Sequence, residues 1–276
     1  VDEFCAAALP SLDRAVQELI VSTAPAGVPV DVRLVVHTDQ PERVLAASGS
    51  AIECRPVPAG ARGFDCMSQA HREVLALGMW GDVVVLLTAG AVISEQGLVY
   101  CAEVLENSQL RVVLCAVPRV QAEGQIPDTA DAQALMAWAW GNRHEMIEEC
   151  TWPDGRSVDL SRTFFPAGGE DQTVVTRQAL PHPLAVRIDG RQVRFTPTVD
   201  ANLIHCFDPS EMHMAVDCAK LSLVKLTPAD KGFDLSTATM AERAAAGGLV
   251  IADAHQRWCL SHRIVLCPGP DLWRCG

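Results

Sequence analysis

The run DVVVLLTA (Asp82–Ala89) decides the fold class, because it is uncharged and apolar from Val83 to Leu87. Strands of this composition are typical of a sheet that is covered on both faces. Arg111–Ala116 is a second run of this kind, and Val32–Val36 is a third. Segments with the apolar spacing of helices separate the three runs. This alternation predicts an α/β fold in which helices flank a parallel central sheet.

The texture of the sequence changes after Arg119. Residues 152–194 are rich in Pro, Gly and Asp and contain only short strand-like pieces. The chain shows neither an internal repeat nor a low-complexity linker. We therefore expect a single domain over residues 1–276, with a regular first half (1–120) and a mixed, loop-rich second half (121–276).

Composition excludes several classes of protein. With 22 Lys and Arg against 34 Asp and Glu, the net charge of -12 argues against a nucleic-acid partner, which needs clustered cations. No apolar run approaches the roughly 18 residues of a transmembrane helix. The eleven cysteines are odd in number, form no CxxC pair and lie partly in apolar runs. This usage predicts reduced thiols and a cytoplasmic location.

Three strand ends could carry chemistry, because ligands of open α/β sheets bind beyond the carboxyl ends of the strands. Asp39, after the first strand, could accept from a ribose or base donor, or it could cap the helix that begins at Pro41. The segment Thr88–Gly90 stands where a metal-binding carboxylate pair would be expected, and it contains none. Arg119, after the third strand, could bind a phosphate or could be a solvated surface side chain.

Sequence motifs narrow the chemistry further. The chain contains no GxGxxG, GxxxxGK[ST], GxSxG or HExxH. The most metal-like spacing is the set His255, Cys259, His262 and Cys267, for which a buried core is the alternative to a zinc site. In the second half, His182, Asp200 and Asp217 each lie beside a short strand. Singly, each would be an ordinary hydrogen-bonded group, whereas together in one cleft they would be candidates for acid–base catalysis.

The order of these elements resembles the nucleotide-diphospho-sugar transferase (GT-A) fold, and in particular bacterial glycosyltransferase-like proteins often associated with surface-polysaccharide genes. The resemblance implies a mostly parallel sheet that binds the nucleotide and a looser half that binds the acceptor. It also implies a further strand before Val1, which is missing here or supplied differently. The matching segments are VDEFCAAALPSL (1–12), VRLVVHTD (32–39), AHREVLALG (70–78), DVVVLLTAGAVIS (82–94), HPL (182–184) and TVD (198–200).

This resemblance assigns roles to the candidate residues. Thr38, Asp39, Thr88 and Arg119 would bind the nucleotide of the donor. Asp200 or Asp217 would act as the base on the acceptor hydroxyl, and His182 would orient or protonate the leaving group.

The chain departs from the family at its metal site. Proteins of this fold usually hold a divalent cation with acidic residues after the strand that ends here at Leu87, but the chain has Thr88, Ala89 and Gly90 and no DxD motif. Mg²⁺ and Mn²⁺ need carboxylate oxygens, so the sequence predicts no metal and no cofactor.

Two hypotheses follow. The chain is a metal-independent glycosyltransferase that moves a sugar from a nucleotide donor to a polysaccharide or glycolipid acceptor, or it is a catalytically silent binding or scaffolding subunit of the same fold. The expected partners are a nucleotide sugar and a carbohydrate. Peripheral contact with a membrane stays open.

Overall fold

The computed structural model describes most of the first half of the chain and separate parts of the second. The described residues are 1–2, 4–27, 29–48, 51–57, 63–107, 109–121, 126–144, 156–157, 163–164, 174–178, 181–190, 200–227, 238–239 and 254–267.

In the first half of the chain, helices alternate with single strands or pairs of strands, as the sequence predicts, whereas the described part of the second half consists mostly of strands. The helices are a π-helix (Phe4–Ala8), α1 (Leu9–Thr23), α2 (Pro41–Ala47), α3 (Gly63–Leu77), α4 (Gly97–Glu106), α5 (Ala132–Gly141) and α6 (Ala254–Ser261), with 3-10 turns at Ala24–Ala26, Asp200–Cys206 and Pro209–Glu211. The strands are β1 (Leu34–Thr38), β2 (Ile52–Pro56), β3 (Val83–Val85), β4 (Ala91–Ile93), β5 (Val112–Cys115), β6 (Arg119–Gln121), β7 (Arg156–Ser157), β8 (Thr163–Phe164), β9 (Val174–Gln178), β10 (His182–Arg187), β11 (Met212–Met214), β12 (Leu223–Thr227), β13 (Ala238–Thr239) and β14 (Ile264–Cys267).

The strands form a mixed set of sheets. The largest sheet has the order β11-β5-β10-β3, and a three-stranded sheet has the order β4-β12-β6. Strands β1 and β2 pair with each other, in parallel, and no other described strand joins them. Two smaller sheets contain β13-β7 and β14-β9-β8. The boundary that we drew at residue 120 falls inside β6, and strands from both halves share the two larger sheets.

The α/β class is confirmed, but the expected mostly parallel sheet is wrong for the described strands. Six of their nine pairings are antiparallel. In the largest sheet the antiparallel pairings come from β10, which lies between β3 and β5 and runs antiparallel to both. A buried, β-branched run shows that both faces of a strand are covered, and this pattern carries no information about the direction of the neighbouring strand.

Strand β5 shows how the core is built. All four of its side chains are at most 2% exposed. Val112 and Leu114 belong to one apolar cluster, which we call the first core cluster, and α5 contributes to it. Val113 and Cys115 belong to the second core cluster, to which α1 and α4 contribute. Alternate residues of β5 thus pack into layers on opposite faces of the sheet, and burial of each large side chain contributes about 1.5–3 kcal/mol.

One buried cation connects three strands of the largest sheet (the large sheet), at the edge where β5 and β11 begin and β10 ends. Arg111, directly before β5, is 4% exposed, and its Nη2 donates to Asp189 Oδ1 at 2.5 Å. Its guanidinium also lies 4.0 Å from Glu211 and 4.9 Å from the centre of the Phe207 ring. Asp189 follows β10 and Glu211 precedes β11, so this network fixes the starts and ends of neighbouring strands.

We predict that Arg111→Met lowers the free energy of unfolding by about 3 kcal/mol, because the change leaves partly buried carboxylates without their cation. Urea unfolding followed by circular dichroism measures the loss. The matched control is Arg33→Met, since Arg33 pairs with Glu53 at the surface with 56% of its side chain exposed. Equal, small losses in the two variants would contradict the structural role of Arg111.

Candidate functional site

The insertion of β10 places His182 at the carboxyl ends of β3 and β5. His182 is the first residue of β10 and pairs with Cys115, the last residue of β5. On the other side, its Nε2 lies 2.7 Å from the carbonyl oxygen of Leu86, just beyond β3. A carbonyl can only accept, so Nε2 is the donor in this hydrogen bond, and in the neutral ring Nδ1 remains as an acceptor.

The turn after β3 holds Thr88 close to this edge. The strand ends at Val85, earlier than the sequence predicts, and the carbonyl of Thr88 accepts from the Ala91 amide at 3.0 Å. Gly90 has a φ of +79°, and a Cβ at this position would lie 3.0 Å from the Leu226 carbonyl oxygen. Gly90 therefore allows both the tight turn and its close contact with β12. The turn offers one hydroxyl and backbone carbonyls, and no carboxylate.

Thr38 is the last residue of β1, Asp39 follows it, and the two have different environments. Thr38 is 7% exposed, and its Oγ1 accepts from the Gln40 amide at 3.0 Å. Asp39 is exposed. The capping alternative for Asp39 is wrong, since Gln40 is the N-cap of α2 and no side chain caps this helix. Fewer amides at the start of α2 need a capping side chain, because Pro41 has no amide hydrogen and the Thr38 hydroxyl already accepts from the Gln40 amide.

Strand β1 shares no hydrogen-bond ladder with the large sheet, but β1 and that sheet pack against the same core cluster. Val32 and Leu34 contact the second core cluster, and so do Val85 and Leu87 of the β3 segment. Thr38 and Asp39 therefore belong to the same packed body as His182, on a neighbouring sheet.

The two candidate bases are placed differently. Asp217 follows β11, at the same edge of the sheet as His182 but two strands away, or about 10 Å at the usual strand spacing. It is exposed, and its Oδ1 accepts from the Ala219 amide at 2.9 Å, which holds the turn before β12. Asp200 begins the 3-10 turn Asp200–Cys206, and its side chain lies outside the described part of the chain.

Arg119 begins β6 and is half-buried. It lies directly opposite Lys225 of β12. Lys225 is a residue that the sequence reasoning missed, although the alternation of apolar residues with Lys225 in LVKLT indicates that it faces away from its neighbours.

Sequence reasoning also missed a pair of acid–base groups beside Asp217. Tyr100 of α4 and His213 of β11 are hydrogen-bonded, with 2.7 Å between Oη and Nε2. Burial lowers the pKa of His213, and the charges of His262 and Lys220 lower it further. Burial, with smaller contributions from Cys101 and Asp217, raises the pKa of Tyr100 to about 12. Tyr100 and His213 are 113 residues apart, so no local pattern could have shown their contact.

The residues of the zinc hypothesis are engaged in other contacts. His255 Nε2 lies 2.7 Å from the Phe207 carbonyl, His262 Nδ1 lies 2.8 Å from the Trp258 carbonyl, and Cys259 is fully buried. Within the described ranges, no group of three or more His, Cys, Asp or Glu side chains could hold a metal ion. Seven cysteines within these ranges are free thiols: Cys5, Cys54, Cys101, Cys115, Cys206, Cys218 and Cys259.

Comparison with known protein families, with curated proteins and with solved structures found no significant match. Among the helices of the described residues, none combines the length and apolarity that crossing a bilayer requires.

We predict that the protein loses stability as the pH falls below about 6.5, and that His213→Gln reduces this loss. The pKa of His213 is lowered by folding, so its contribution is complete above the ordinary value of about 6.5 and is lost as the pH falls toward the lowered value. Urea unfolding at pH 7.5 and pH 5.5 measures the difference. His205→Gln, at an exposed position, is the control. An identical pH dependence in wild type and His213→Gln would refute the assignment.

Proposed function

We propose that the protein is a glycosyltransferase that moves a sugar from a nucleoside diphosphate donor to a polysaccharide or glycolipid acceptor without a divalent cation. The proposal extends the resemblance of the segments around Val32–Asp39 and Asp82–Ser94 to glycosyltransferase-like proteins. The single observation that carries it is the position of His182, between the ends of two sheet strands and beside the Thr88–Gly90 turn. A histidine ring stands there, and the turn beside it contains no carboxylate.

In this proposal, the acceptor hydroxyl oxygen bonds to the anomeric carbon of the sugar while the bond from that carbon to the diphosphate oxygen breaks. The bonding electrons leave with the diphosphate, and the hydroxyl proton passes to a carboxylate. Asp217 or Asp200 is the base. The Nε2–H of His182 is donated to the Leu86 carbonyl, so the ring orients the diphosphate, or donates to it from Nδ1 when that nitrogen also carries a proton. Such a donor stabilises the leaving group as its charge develops.

The nucleoside end of the donor would bind at Thr38 and Asp39, with Thr88 and Arg119 nearer the diphosphate. The exposed Asp39 carboxylate, which caps no helix, supports this assignment. A ribose hydroxyl or a base amino group is the kind of donor that an uncommitted carboxylate accepts.

A second candidate function is a silent binding or scaffolding subunit that retains the donor site. The observation that favours it is the use of the Asp217 carboxylate, which already accepts from the Ala219 amide to hold a turn. A base must reach the acceptor hydroxyl, and this carboxylate is both engaged and about 10 Å from His182 by strand count.

We predict that a nucleotide sugar raises the melting temperature of the protein equally in EDTA and in Mn²⁺, and that transfer to a carbohydrate acceptor proceeds in EDTA. A panel of nucleotide sugars in a thermal-shift assay identifies the donor, and release of the nucleoside diphosphate measures turnover. We expect His182→Gln to lower kcat by about 100-fold or more, as for a group that assists the leaving group. His205→Gln is the control and should retain the wild-type rate.

The outcomes separate the candidates. Turnover that EDTA abolishes and Mn²⁺ restores would refute the metal-independent proposal. Binding of a nucleotide sugar without turnover on any acceptor would favour the silent subunit. The absence of nucleotide-sugar binding under both conditions would reject both.

A further inference from the structure

Two cationic side chains lie in one row across the sheet β4-β12-β6, which we call the small sheet. Lys225 of β12 is directly opposite Arg119 of β6 in the parallel pairing and directly opposite Ala91 of β4 in the antiparallel one. Residues opposite each other on neighbouring strands project from the same face, with Cβ atoms about 5 Å apart. Arg119 and Lys225 are therefore neighbours on one face, and both are half-buried.

The alternation of buried residues fixes which face this is. Val224 and Leu226, on either side of Lys225, belong to the first core cluster, and so does Val120, next to Arg119. Lys225 and Arg119 therefore project away from that cluster, on the side of Ala91. Val120 and Val224 are completely buried. They anchor both strands and thereby limit the movement of the two cations.

The row ends beside the Thr88–Gly90 turn. Ala91, its third member, follows that turn directly, and the Gly90 carbonyl accepts from the Leu226 amide at 2.9 Å. The Pro118 carbonyl accepts from the Lys225 amide at 3.0 Å, which fixes the segment before Arg119 against the same strand. Backbone hydrogen bonds thus hold the turn, Lys225 and Arg119 in one rigid arrangement.

From this arrangement we propose that Arg119 and Lys225 together bind the diphosphate of the donor and supply the two positive charges that a divalent cation would otherwise provide. The inference rests on the proposed function and names the chemistry of its donor site. An arginine can bind two phosphate oxygens at once, and a lysine adds a compact charge with three donors. Both cations come from one small sheet within a chain whose net charge is -12, so the local field opposes that of the whole molecule.

Isothermal titration calorimetry in EDTA tests the pair. The probes are inorganic pyrophosphate, uridine, and the diphosphates of uridine, cytidine, guanosine, adenosine and thymidine. We expect at least one nucleoside diphosphate to bind without metal. Lys225→Met should weaken its binding by about 10- to 100-fold, the usual loss for a hydrogen bond to a charged group. Lys225→Arg should retain most of the affinity.

Lys220→Met is the matched control, because Lys220 is exposed in the turn after Asp217. It should bind the same nucleotide with wild-type affinity. For a lysine variant that fails to fold, the salt dependence of wild-type binding serves instead. Affinity for the diphosphate should fall steeply between 50 and 300 mM NaCl, because salt screens the attraction of the two cations. An affinity that does not change with salt would overturn the inference.

Two negative results are distinguishable. Wild-type affinity in folded Lys225→Met would overturn the role of Lys225 and leave the proposed function standing. Failure of the wild-type protein to bind any of the nucleotides, with or without Mn²⁺, would remove the proposed function and this inference with it. Binding that appears only with Mn²⁺ would overturn the claim that the two side chains replace the cation.

Discussion

Strand β10 exchanges backbone hydrogen bonds with β3 on one side and with β5 on the other, and it runs against the direction of both. A strand inserted in this way begins where its neighbours end. Its first side chain, His182, is thereby placed at the carboxyl edge of the sheet, and its last residues meet Arg111 at the opposite edge. The register also sets Leu184, Ala185 and Val186 fully inside the core. The position of His182 thus follows from the pairing of strands.

The chemistry that we propose at this edge depends on side-chain cations in the place of a divalent ion. The Thr88–Gly90 turn contains no carboxylate ligand for a hard divalent ion, while the neighbouring sheet carries Lys225 and Arg119 in one row. A cationic side chain is held in place by the fold, so it does not have to bind to the site first, as a metal ion does. Gly90 is central to this arrangement, because only a residue without a side chain lets the turn approach the Leu226 carbonyl so closely.

Local patterns in the sequence predicted elements well and relations between elements poorly. Pro41 marked the start of α2, and the apolar run around Leu114 marked β5 with an error of about one residue at each end. The run from Val83 to Leu87 predicts one strand, whereas β3 ends at Val85 and a second short strand, β4, follows the turn at Gly90. The direction of β10 was not predictable, because it depends on how a distant segment pairs with its neighbours.

The same distinction holds for the site. Thr88, Arg119, His182 and Asp217 were identified as residues near strand ends, which is a local property. That His182 lies between two strand ends, that Asp217 lies two strands away, and that Tyr100 contacts His213 all depend on tertiary pairing. Lys225 was missed for a related reason. Its proposed role depends on its cross-strand neighbour Arg119, which lies more than a hundred residues earlier in the chain.

A crystal structure of the protein with a bound nucleoside diphosphate, grown in EDTA, tests the central claim most directly. The account predicts that the diphosphate oxygens lie about 3 Å from the side-chain nitrogens of both Arg119 and Lys225, beside the Thr88–Gly90 turn, with the nucleoside toward Asp39. Density for the diphosphate at any other edge of the sheet, or diphosphate oxygens at this turn that contact neither cation, would contradict it.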